Sequence, residues 1–259
     1  EALIFDGASI DDAGAVNVSA TTNQTVSAET IGVSTGAVGV GASFIDIDIS
    51  DGDSGTPDTI ARIGTNVNIG QTSPVGSVTV AADSTIDVTA TTNAIAAGIG
   101  AGTFNFAFVD VDPNVEASIG SNAHITGTGL LTVQATTSHD AKGDVFALSV
   151  GAGALGTSLA FVKVNPTIAA TIGSGAVLDT GGIALLASHN FAGETPLDRG
   201  AYARAEAAGG GIFSGQGAIP LAESNAAVVA SIGTGGDIDT GSGAISVTAR
   251  GRNAAEADA

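Results

Sequence analysis

The chain has 259 residues and a formal net charge of −19, from 26 acidic residues against 7 lysines and arginines, which argues against charge-driven binding to nucleic acid or to anionic membranes. Hydrophobic residues make up 44% of the chain but aromatic residues only 4%, and glycine contributes 38 residues, so the core suits closely packed sheets better than a deep ligand pocket with aromatic walls. The absence of cysteine excludes disulfides and thiolate metal sites.

The first recurring element is a short segment in which apolar residues alternate with mostly polar ones. Strict alternation places one face of a strand in a core and the other in water, so each copy predicts a β-strand. The copies lie at residues 16–20, 86–90, 131–135, 183–187 and 245–249. No segment has the spacing of a long amphipathic helix.

The second recurring element is a strand with the pattern Phe-Val-x-Val-x-Pro at residues 108–113 and 161–166. Residues 44–48 match it without the proline, and residues 221–226 match it loosely. A third element follows, an Ile-Gly turn that begins at Ile63, Ile119, Ile172 and Ile232, with spacings of 56, 53 and 60 residues. We expect the Gly after Ile and the Asn or Gly two residues later to supply turn conformations, including positive φ.

Three or more short strands per repeat leave two architectures, a β-solenoid and an all-β sandwich. A sandwich would require each repeat to form its own hydrophobic core, and a repeat of about 55 residues with few aromatic side chains is too small to bury enough apolar surface. Stacking like residues on like residues removes the difficulty, so the sequence predicts an all-β, open-ended parallel β-solenoid (β-helix) of degenerate repeats. The approximate units are 16–85, 86–130, 131–182, 183–244 and a partial unit at 245–259. Whether a unit forms one wide coil or two narrower coils is left open.

The last residues carry a further expectation about the array. Residues 254–259 resemble residues 203–208 of the preceding repeat, so the sequence stops as a new repeat begins. Solenoids need caps that block edge pairing, which favours a slice of a longer array or a subunit whose ends are covered by neighbours. The sequence shows neither a signal peptide nor a transmembrane segment, so an exported parent protein would carry its signal elsewhere.

An acidic insertion in the first repeat is the strongest candidate for a metal site. Its aspartates are Asp46, Asp48, Asp51, Asp53 and Asp58. Carboxylate oxygens on a glycine-containing loop are typical ligands of Ca²⁺, so these residues form a candidate calcium site, and no other cofactor is predicted. The spacing is not that of an EF-hand, because no Glu closes the loop. The alternative is a solvated insertion that lengthens the repeat.

Other polar residues favour structural interpretations. Asp110, Lys163 and Glu223 occupy one repeat position with mixed charge, which is typical of an outward surface position. The Gly-x-Gly-x-x-Gly string at 151–156 lacks a following helix, which argues against dinucleotide binding.

Two groups of residues invite a catalytic interpretation. His124, His139 and His189 fall at different repeat positions, and a Ser-His-Asp triad cannot be assigned to them without geometry. Arg199, Tyr202 and Arg204 gather basic and aromatic character of the kind that lines the groove of polysaccharide-cleaving solenoids. The alternative for this second group is an inserted loop in the 60-residue repeat. We predict no catalytic residue.

The order of these elements resembles that of very large bacterial surface exoproteins of the filamentous-haemagglutinin or autotransporter-adhesin type. The resembling pattern is Ala-x-Ile-Gly-x-x-Ala/Val, then Gly-x-Ile/Leu-x-Val-x-Ala, then a Gly/Ala-rich stretch and Val-x-Val-x-Pro, and it runs through essentially the whole chain. The resemblance implies export to the cell surface and a repetitive β-solenoid shaft. It also implies adhesion or matrix building by regions outside the shaft, and it carries over no catalytic residue.

We therefore expect a non-enzymatic structural segment of a secreted bacterial surface or extracellular fibre, acting as an adhesin shaft or matrix scaffold. The expected partners are neighbouring repeats or identical subunits at the solenoid ends, with host or matrix glycans as a further candidate, and neither nucleic acid nor membrane insertion. An acidic exterior is expected to resist sideways aggregation. The alternatives are a subunit that polymerises end to end into an extracellular filament, a calcium-stabilised adhesive module and a carbohydrate-active β-helix enzyme.

Overall fold

The computed structural model describes residues 1–50 and 59–259 of the chain. These residues form strands and turns without a helix, and apart from one small hairpin the paired strands run parallel. The strands wind into five coils, and each strand pairs with the equivalent strand of the next coil. The predicted all-β parallel β-solenoid is confirmed.

Each coil repeats a short strand, a shorter strand and one long strand. The first coil contains β1 (Ala2–Ile4), β2 (Ser9–Ile10) and β3 (Val16–Ser50), and the second contains β4 (Thr59–Ile63), β5 (Asn68–Ile69) and β6 (Val78–Asp112). The third contains β7 (Asn114–Ile119), β8 (His124–Thr126) and β9 (Leu130–Val164). In the fourth coil, β10 (Thr167–Ile172) and β11 (Val177–Asp179) precede β12 (Gly182–His189), β13 (Phe191–Ala192), β14 (Thr195–Pro196), β15 (Ala201–Gly210) and β16 (Phe213–Ser224). The fifth contains β17 (Ala227–Ile232), β18 (Asp237–Asp239), β19 (Ile245–Gly251) and β20 (Ala255–Asp258).

The Ile-Gly turns lie directly over one another along the solenoid axis. Ile119 pairs with Ile63 on one side and with Ile172 on the other, and Ile172 pairs in turn with Ile232. A fifth copy, which the Ile-Gly pattern misses, begins at Ile4 and pairs with Ile63. One repeat therefore forms one wide coil, and each coil adds about 4.8 Å along the axis.

The alternating strand of the second repeat lies eight residues before its predicted position. Residues 16–20 pair with 78–82, which pair in turn with 131–135. The predicted copy at 86–90 instead pairs with 24–28 and 139–143, farther along the same long strands. Both segments of β6 alternate in the same way, and alternation alone does not distinguish registers that differ by an even number of residues. The unit boundary drawn at residue 86 moves accordingly to residue 78.

Three sheets enclose the first of two cores, and we call this part of the molecule the body. Its sides are the first strands of the coils, the second strands of the coils, and the opening residues of the long strands. Large aliphatic side chains stack inside it in columns, including Ile63, Ile119 and Ile172 in one column and Ile69, Ile125 and Leu178 in another. Burying a side chain of this size contributes about 1.5–3 kcal/mol, so these columns dominate the stability of the body.

The remainder of each long strand leaves the body and folds back, and we call this projection the arm (residues 22–50, 84–112, 137–164 and 201–224). Its outgoing and returning halves face each other across a second core made of smaller residues, with Val88 and Val109 on opposite sides. Near the fold-back, the Ser149 hydroxyl donates to the Leu155 carbonyl oxygen at 2.7 Å. The arm is therefore two β-layers thick, with small residues and side chain to backbone hydrogen bonds between the layers.

A column of glycines marks the fold-back of the arm at Gly36, Gly98, Gly151 and Gly211. A Cβ atom on Gly98 would lie 2.3 Å from the carbonyl oxygen of Gly36, and one on Gly151 would lie 2.3 Å from that of Gly98. A side chain at Gly98, Gly151 or Gly211 would therefore overlap the backbone of the preceding coil. Stacking itself therefore requires glycine at the bend.

The glycine of the Ile-Gly turn is likewise needed for space. A Cβ atom on Gly120 would lie 2.5 Å from the carbonyl carbon of Gly64. The positive φ angles occur two residues after the glycine of the turn, at Asn66 (+53°), Asn122 (+54°), Gly175 (+72°) and Gly235 (+73°). The expectation of a positive φ is confirmed for the Asn or Gly position, whereas the glycine after Ile permits the close approach of adjacent coils.

Candidate functional sites

Two of the five aspartates of the candidate calcium site lie in the described part of the chain. Asp46 and Asp48 are two residues apart on the returning half of the first arm, so both side chains are exposed on its outer face. Asp51, Asp53 and Asp58 lie outside the described residues. Within residues 1–50 and 59–259, no group of three or more His, Cys, Asp or Glu side chains is placed to hold a metal ion. Calcium binding by this segment stays a prediction.

Asp48 begins a row of charged residues that crosses four coils. Register places Asp48 beside Asp110, and Lys163 lies between Asp110 and Glu223. Partial burial raises the pKa of Asp110; Lys163 opposes this rise, whereas Asp48 and Glu223 add to it. The row has mixed charge and faces outward, as predicted, and Lys163 offsets the carboxylates on both sides.

A buried polar layer separates the core of the body from the core of the arm. His139 and His189 lie in it with their rings edge to face at a centroid distance of 5.8 Å, and both are fully buried. Ser84, Thr137 and Asn190 complete the layer and are also buried. Buried polar groups need hydrogen-bond partners, so the hydrogen bonds inside the layer show whether its role is structural or catalytic.

Asn190 is the centre of this layer. Its Nδ2 donates to His189 Nε2 and to the Arg199 carbonyl oxygen, both at 3.2 Å, and its Oδ1 accepts from the His139 N–H at 2.9 Å. Because His189 Nε2 accepts, the ring proton lies on Nδ1, which donates to Thr137 Oγ1 at 2.8 Å. Both ring nitrogens of His189 are therefore used within the layer.

Both buried histidines are neutral at pH 7. Burial, with smaller contributions from His189 and Arg199, lowers the pKa of His139 to about 3, and burial lowers the pKa of His189 to about 4. His139 Nε2 lies 3.2 Å from Ser84 Oγ, but its Nδ1 has no hydrogen-bond partner among the described residues. A catalytic triad needs a carboxylate at that nitrogen. The layer is therefore built as a neutral junction between body and arm.

The segment around Tyr202 does form a shallow groove. Tyr202 and Arg199 line a cavity of about 260 Å³ together with Asp140, Lys142 and Asp198. Lys142 Nζ lies 3.1 Å from an Asp140 carboxylate oxygen, and Asp198 is paired in the same way, at 3.0 Å, by an arginine of the next coil. The third residue predicted for this group, Arg204, does not line the cavity.

An inserted hairpin explains why the fourth repeat is the longest. Strands β13 and β14 pair antiparallel between β12 and β15. Arg250 of the next coil contacts this insertion in three ways. Its guanidinium lies 4.9 Å from the centre of the Phe191 ring and 2.8 Å from a Glu194 carboxylate oxygen, and its Nη2 donates to the Gly193 carbonyl oxygen at 2.5 Å. The fourth repeat therefore contains an insertion, but Tyr202 and Arg204 lie beyond it on β15, in register with Lys142 and Asp144 of the preceding coil.

Outward side chains on the returning half of the arm form an apolar surface, which we call the phenylalanine face. Six of the nine phenylalanines of the chain lie on it: Phe44, Phe104, Phe106, Phe108, Phe161 and Phe213. Phe108 stacks on Phe161 with ring centroids 5.1 Å apart, and Phe44 contacts Phe108 at 5.9 Å. Exposed aliphatic residues in neighbouring rows extend it: Val38, Val40, Leu155, Ile219 and Leu221.

The sequence carries a signal for this face that the phenylalanine pattern alone does not reveal. Residues 30–45, 88–109, 145–162 and 207–222 contain no charged residue, although charged residues make up 13% of the chain. Each of these stretches forms the outer part of one arm. Residues 63–82 and 117–138 in the body are also free of charge, so the signal needs the register to become specific. The pattern at Phe108 and Phe161 predicts a strand but does not show which face of the strand is exposed. The register of the strands shows that the phenylalanines lie on the outer face.

Comparison of the chain with protein-family models, with curated proteins and with solved structures gave no match. The resemblance to bacterial surface exoproteins therefore stays a prediction. No helix in the described part of the chain is long and apolar enough to cross a membrane.

Proposed function

We propose that this chain is a structural, non-catalytic segment of a secreted bacterial surface or extracellular fibre, serving as an adhesin shaft or matrix scaffold. The observation that carries the proposal is the contrast between repeated positions. Positions that set the geometry of a coil keep their chemistry from coil to coil, whereas outward positions change theirs.

The isoleucine column of the Ile-Gly turns is an example of a kept position, because all five of its members are isoleucine. The outward row at Asp110 is an example of a changing one, since Lys163 and Glu223 follow in the next two coils. A surface that binds a repetitive ligand would need the same chemistry at the same position in successive coils. The variation supports a surface selected for solubility rather than for recognition at these positions.

The mechanical role follows from the ladder of backbone hydrogen bonds along the axis. Strands β3 and β6 are each 35 residues long and pair in register over nearly their whole length. In a stacked array, stability is approximately the sum of the coils and of the interfaces between them. Wide coils with long ladders therefore give a shaft that resists local opening.

End-to-end polymerisation into an extracellular filament is the alternative, and the length of β3 favours it. A long strand edge is a ready template for pairing with a strand of another chain. Electron microscopy of the purified 259-residue chain separates the two roles: fibres that lengthen with time support the filament subunit, and discrete particles support the shaft segment.

The groove at Tyr202 makes a carbohydrate-active enzyme the second alternative. Its carboxylates Asp140 and Asp198 already pair with cations of the chain, which supports a structural interpretation of the groove. Incubation with a panel of bacterial and host polysaccharides, followed by a reducing-end assay, tests this point. The proposal predicts no release; release by the native chain that is lost in Asp140→Asn and retained in Asp83→Asn, at an acidic position outside the groove, would overturn it.

The cellular location can be tested separately. Antibodies raised against the purified chain should label the outside of intact cells of the organism that produces it, or its extracellular matrix. Labelling that appears only after the cells are permeabilised would contradict the proposed location.

A further inference from the structure

The outer part of the arm carries no charged residue in any of its four coils. Body segments such as residues 63–82 and 117–138 are also uncharged, whereas the inner part of the arm carries carboxylates such as Asp87 and Asp144. In a protein with a formal net charge of −19, the outer arm is thus an uncharged projection beyond an acidic inner arm.

The phenylalanine face is the aromatic surface of this projection. Five of its large apolar side chains line a groove of about 630 Å³ near the fold-back: Val38, Val40, Phe104, Leu155 and Phe213. Val40 is 61% exposed and Leu155 is 64% exposed, so the groove is open to solvent. Exposed apolar patches of this extent on soluble proteins typically mark interaction sites.

The dimensions of the face match those of a protein interface. Nine residues of returning strand, from the row of Val38 to the row of Asp46, span about 30 Å at about 3.3 Å per residue. Four stacked coils add about 19 Å in the other direction. The footprint is therefore about 600 Å² per copy, or about 1,200 Å² for two copies face to face, which reaches the range of stable interfaces.

The area of the face suits a second copy of this chain, provided that charge does not keep two copies apart. Two chains of charge −19 repel each other wherever their carboxylates approach. The outer arm is an apolar surface on which two copies can meet without burying carboxylates, apart from those at its boundary such as Asp46. Two β-sheet faces with interdigitating apolar side chains pack about 10 Å apart, and a flat face of stacked coils suits that arrangement.

We infer that two copies of this chain associate face to face through the phenylalanine faces of their arms, in an isologous pair. This inference does not depend on the proposed function, because a shaft, a filament or an enzyme could each be paired in this way. It reverses the expectation that the acidic exterior prevents sideways association, since the arm carries none of that charge at its outer end.

Sedimentation velocity over a range of concentrations tests the pairing with variants matched for position and charge. Val40→Asp with Leu155→Asp places two carboxylates on the phenylalanine face of each copy. Val33→Asp with Val150→Asp places the same charge on the opposite face of the same two coils, at residues that are 66% and 49% exposed. Because all four side chains are exposed, circular dichroism should show that both variants fold.

The native chain and the Val33/Val150 control should sediment as dimers at micromolar concentration. The Val40/Leu155 variant should dissociate, with its dimer Kd raised at least about a hundredfold by the cost of burying carboxylates. A native chain that stays monomeric would overturn the inference, as would equal weakening of both variants or association that neither variant affects. Flotation of a monomeric native chain with phosphatidylcholine vesicles would also overturn it and would indicate a lipid partner.

Discussion

The body and the arm are built from the same strands, yet they are held together differently. The body packs columns of large aliphatic side chains such as Ile119 and Ile172 inside three sheets. The arm packs mainly alanine and valine between two layers, with isoleucine at only three core positions. Its polar side chains also bond across the gap, as Ser158 Oγ does to the Glu206 carbonyl oxygen at 2.6 Å.

The surfaces of the two regions differ as well. The acidic and basic residues lie on the body and the inner part of the arm, whereas the outer arm is uncharged and exposes valine, leucine and phenylalanine. The body thus provides the stacked architecture, and the arm provides a surface that is suited to contact. The polar layer of His139, His189 and Asn190 lies at the boundary between these two regions.

The largest predicted effect comes from filling the space between coils of the body. Gly120→Ala should destabilise the protein by about 4 kcal/mol or more, because the added Cβ would lie within 2.6 Å of three backbone atoms of the preceding coil. Gly100→Ala, in the arm, is the control, since a Cβ there meets nothing within 4 Å among the described residues. Chemical denaturation of both variants measures the difference. Equal destabilisation by the two substitutions would contradict the close approach of coils in the body.

The second-largest predicted effect is the loss of stability on truncating a buried side chain, which should be greater in the core of the body than in the core of the arm. Ile172→Ala in the body should cost about 2–5 kcal/mol, as deletions that leave a cavity in a large-residue core do. Val162 in the arm is fully buried as well. Val162→Ala removes only two side-chain carbons, whereas Ile172→Ala removes three, and it should cost about 2 kcal/mol. Urea denaturation gives both values. A larger cost in the arm would show that the arm core, not the body core, dominates stability.

The boundary layer predicts a loss of stability in mild acid. Both buried histidines have folded-state pKa values below the usual 6.5, about 3 for His139 and about 4 for His189. The unfolded chain therefore binds more protons as the pH falls below 6.5, and the free energy of unfolding decreases down to about pH 4. Each histidine contributes a slope of up to about 1.4 kcal/mol per pH unit.

His189→Gln should reduce that slope, when the free energy of unfolding is measured between pH 7 and pH 4. His124→Gln is the control, because His124 is exposed on β8, and it should leave the slope as it is in the native chain. If His189→Gln and the native chain show the same slope, the buried layer is not neutral and the junction has been misassigned.

The smallest effect concerns the inserted hairpin of the fourth coil. Arg250→Ala removes the guanidinium that contacts Phe191 and Glu194, and it should lower global stability by no more than about 1 kcal/mol, since the ion pair is partly exposed. Limited proteolysis should nevertheless cut within residues 190–200 faster than in the native chain. Arg62→Ala, which removes an ion pair with Glu116 in the body, should leave that cleavage rate unchanged.

Much of the coil could be predicted from sequence because its markers obey simple steric rules. The Ile-Gly turn at Ile119 recurs because a buried isoleucine and a closely approached glycine are needed in each coil. The register at residues 78–90 could not be predicted, since β6 alternates uniformly over both candidate positions. The position of the fold-back in the arm could not be predicted either. It depends on Gly98 and Gly151, which lie in stretches that contain several other glycines.

The candidate sites were less predictable than the fold. The groove at Tyr202 could be anticipated from its composition, but the pairing of its charges depends on residues from other coils, such as Lys142 and Arg252. The burial of His139 and His189 has no signal in a single sequence, because polar residues at inward positions look like breaks in the alternation. The phenylalanine face needed both the charge-free stretches and the register of Phe108 with Phe161.

The central claim is that each repeat forms one coil that stacks in register on the next, and disulfide formation tests it most directly. The chain has no native cysteine, so Asp110→Cys with Lys163→Cys introduces one pair at positions that the register places side by side. We predict rapid formation of an intramolecular disulfide in the folded protein, because adjacent parallel strands lie within disulfide reach. The control, Asp110→Cys with Phe161→Cys, is offset by two residues and should crosslink much more slowly. Equal or faster crosslinking of the offset pair, measured by mass spectrometry, would contradict the stacked register.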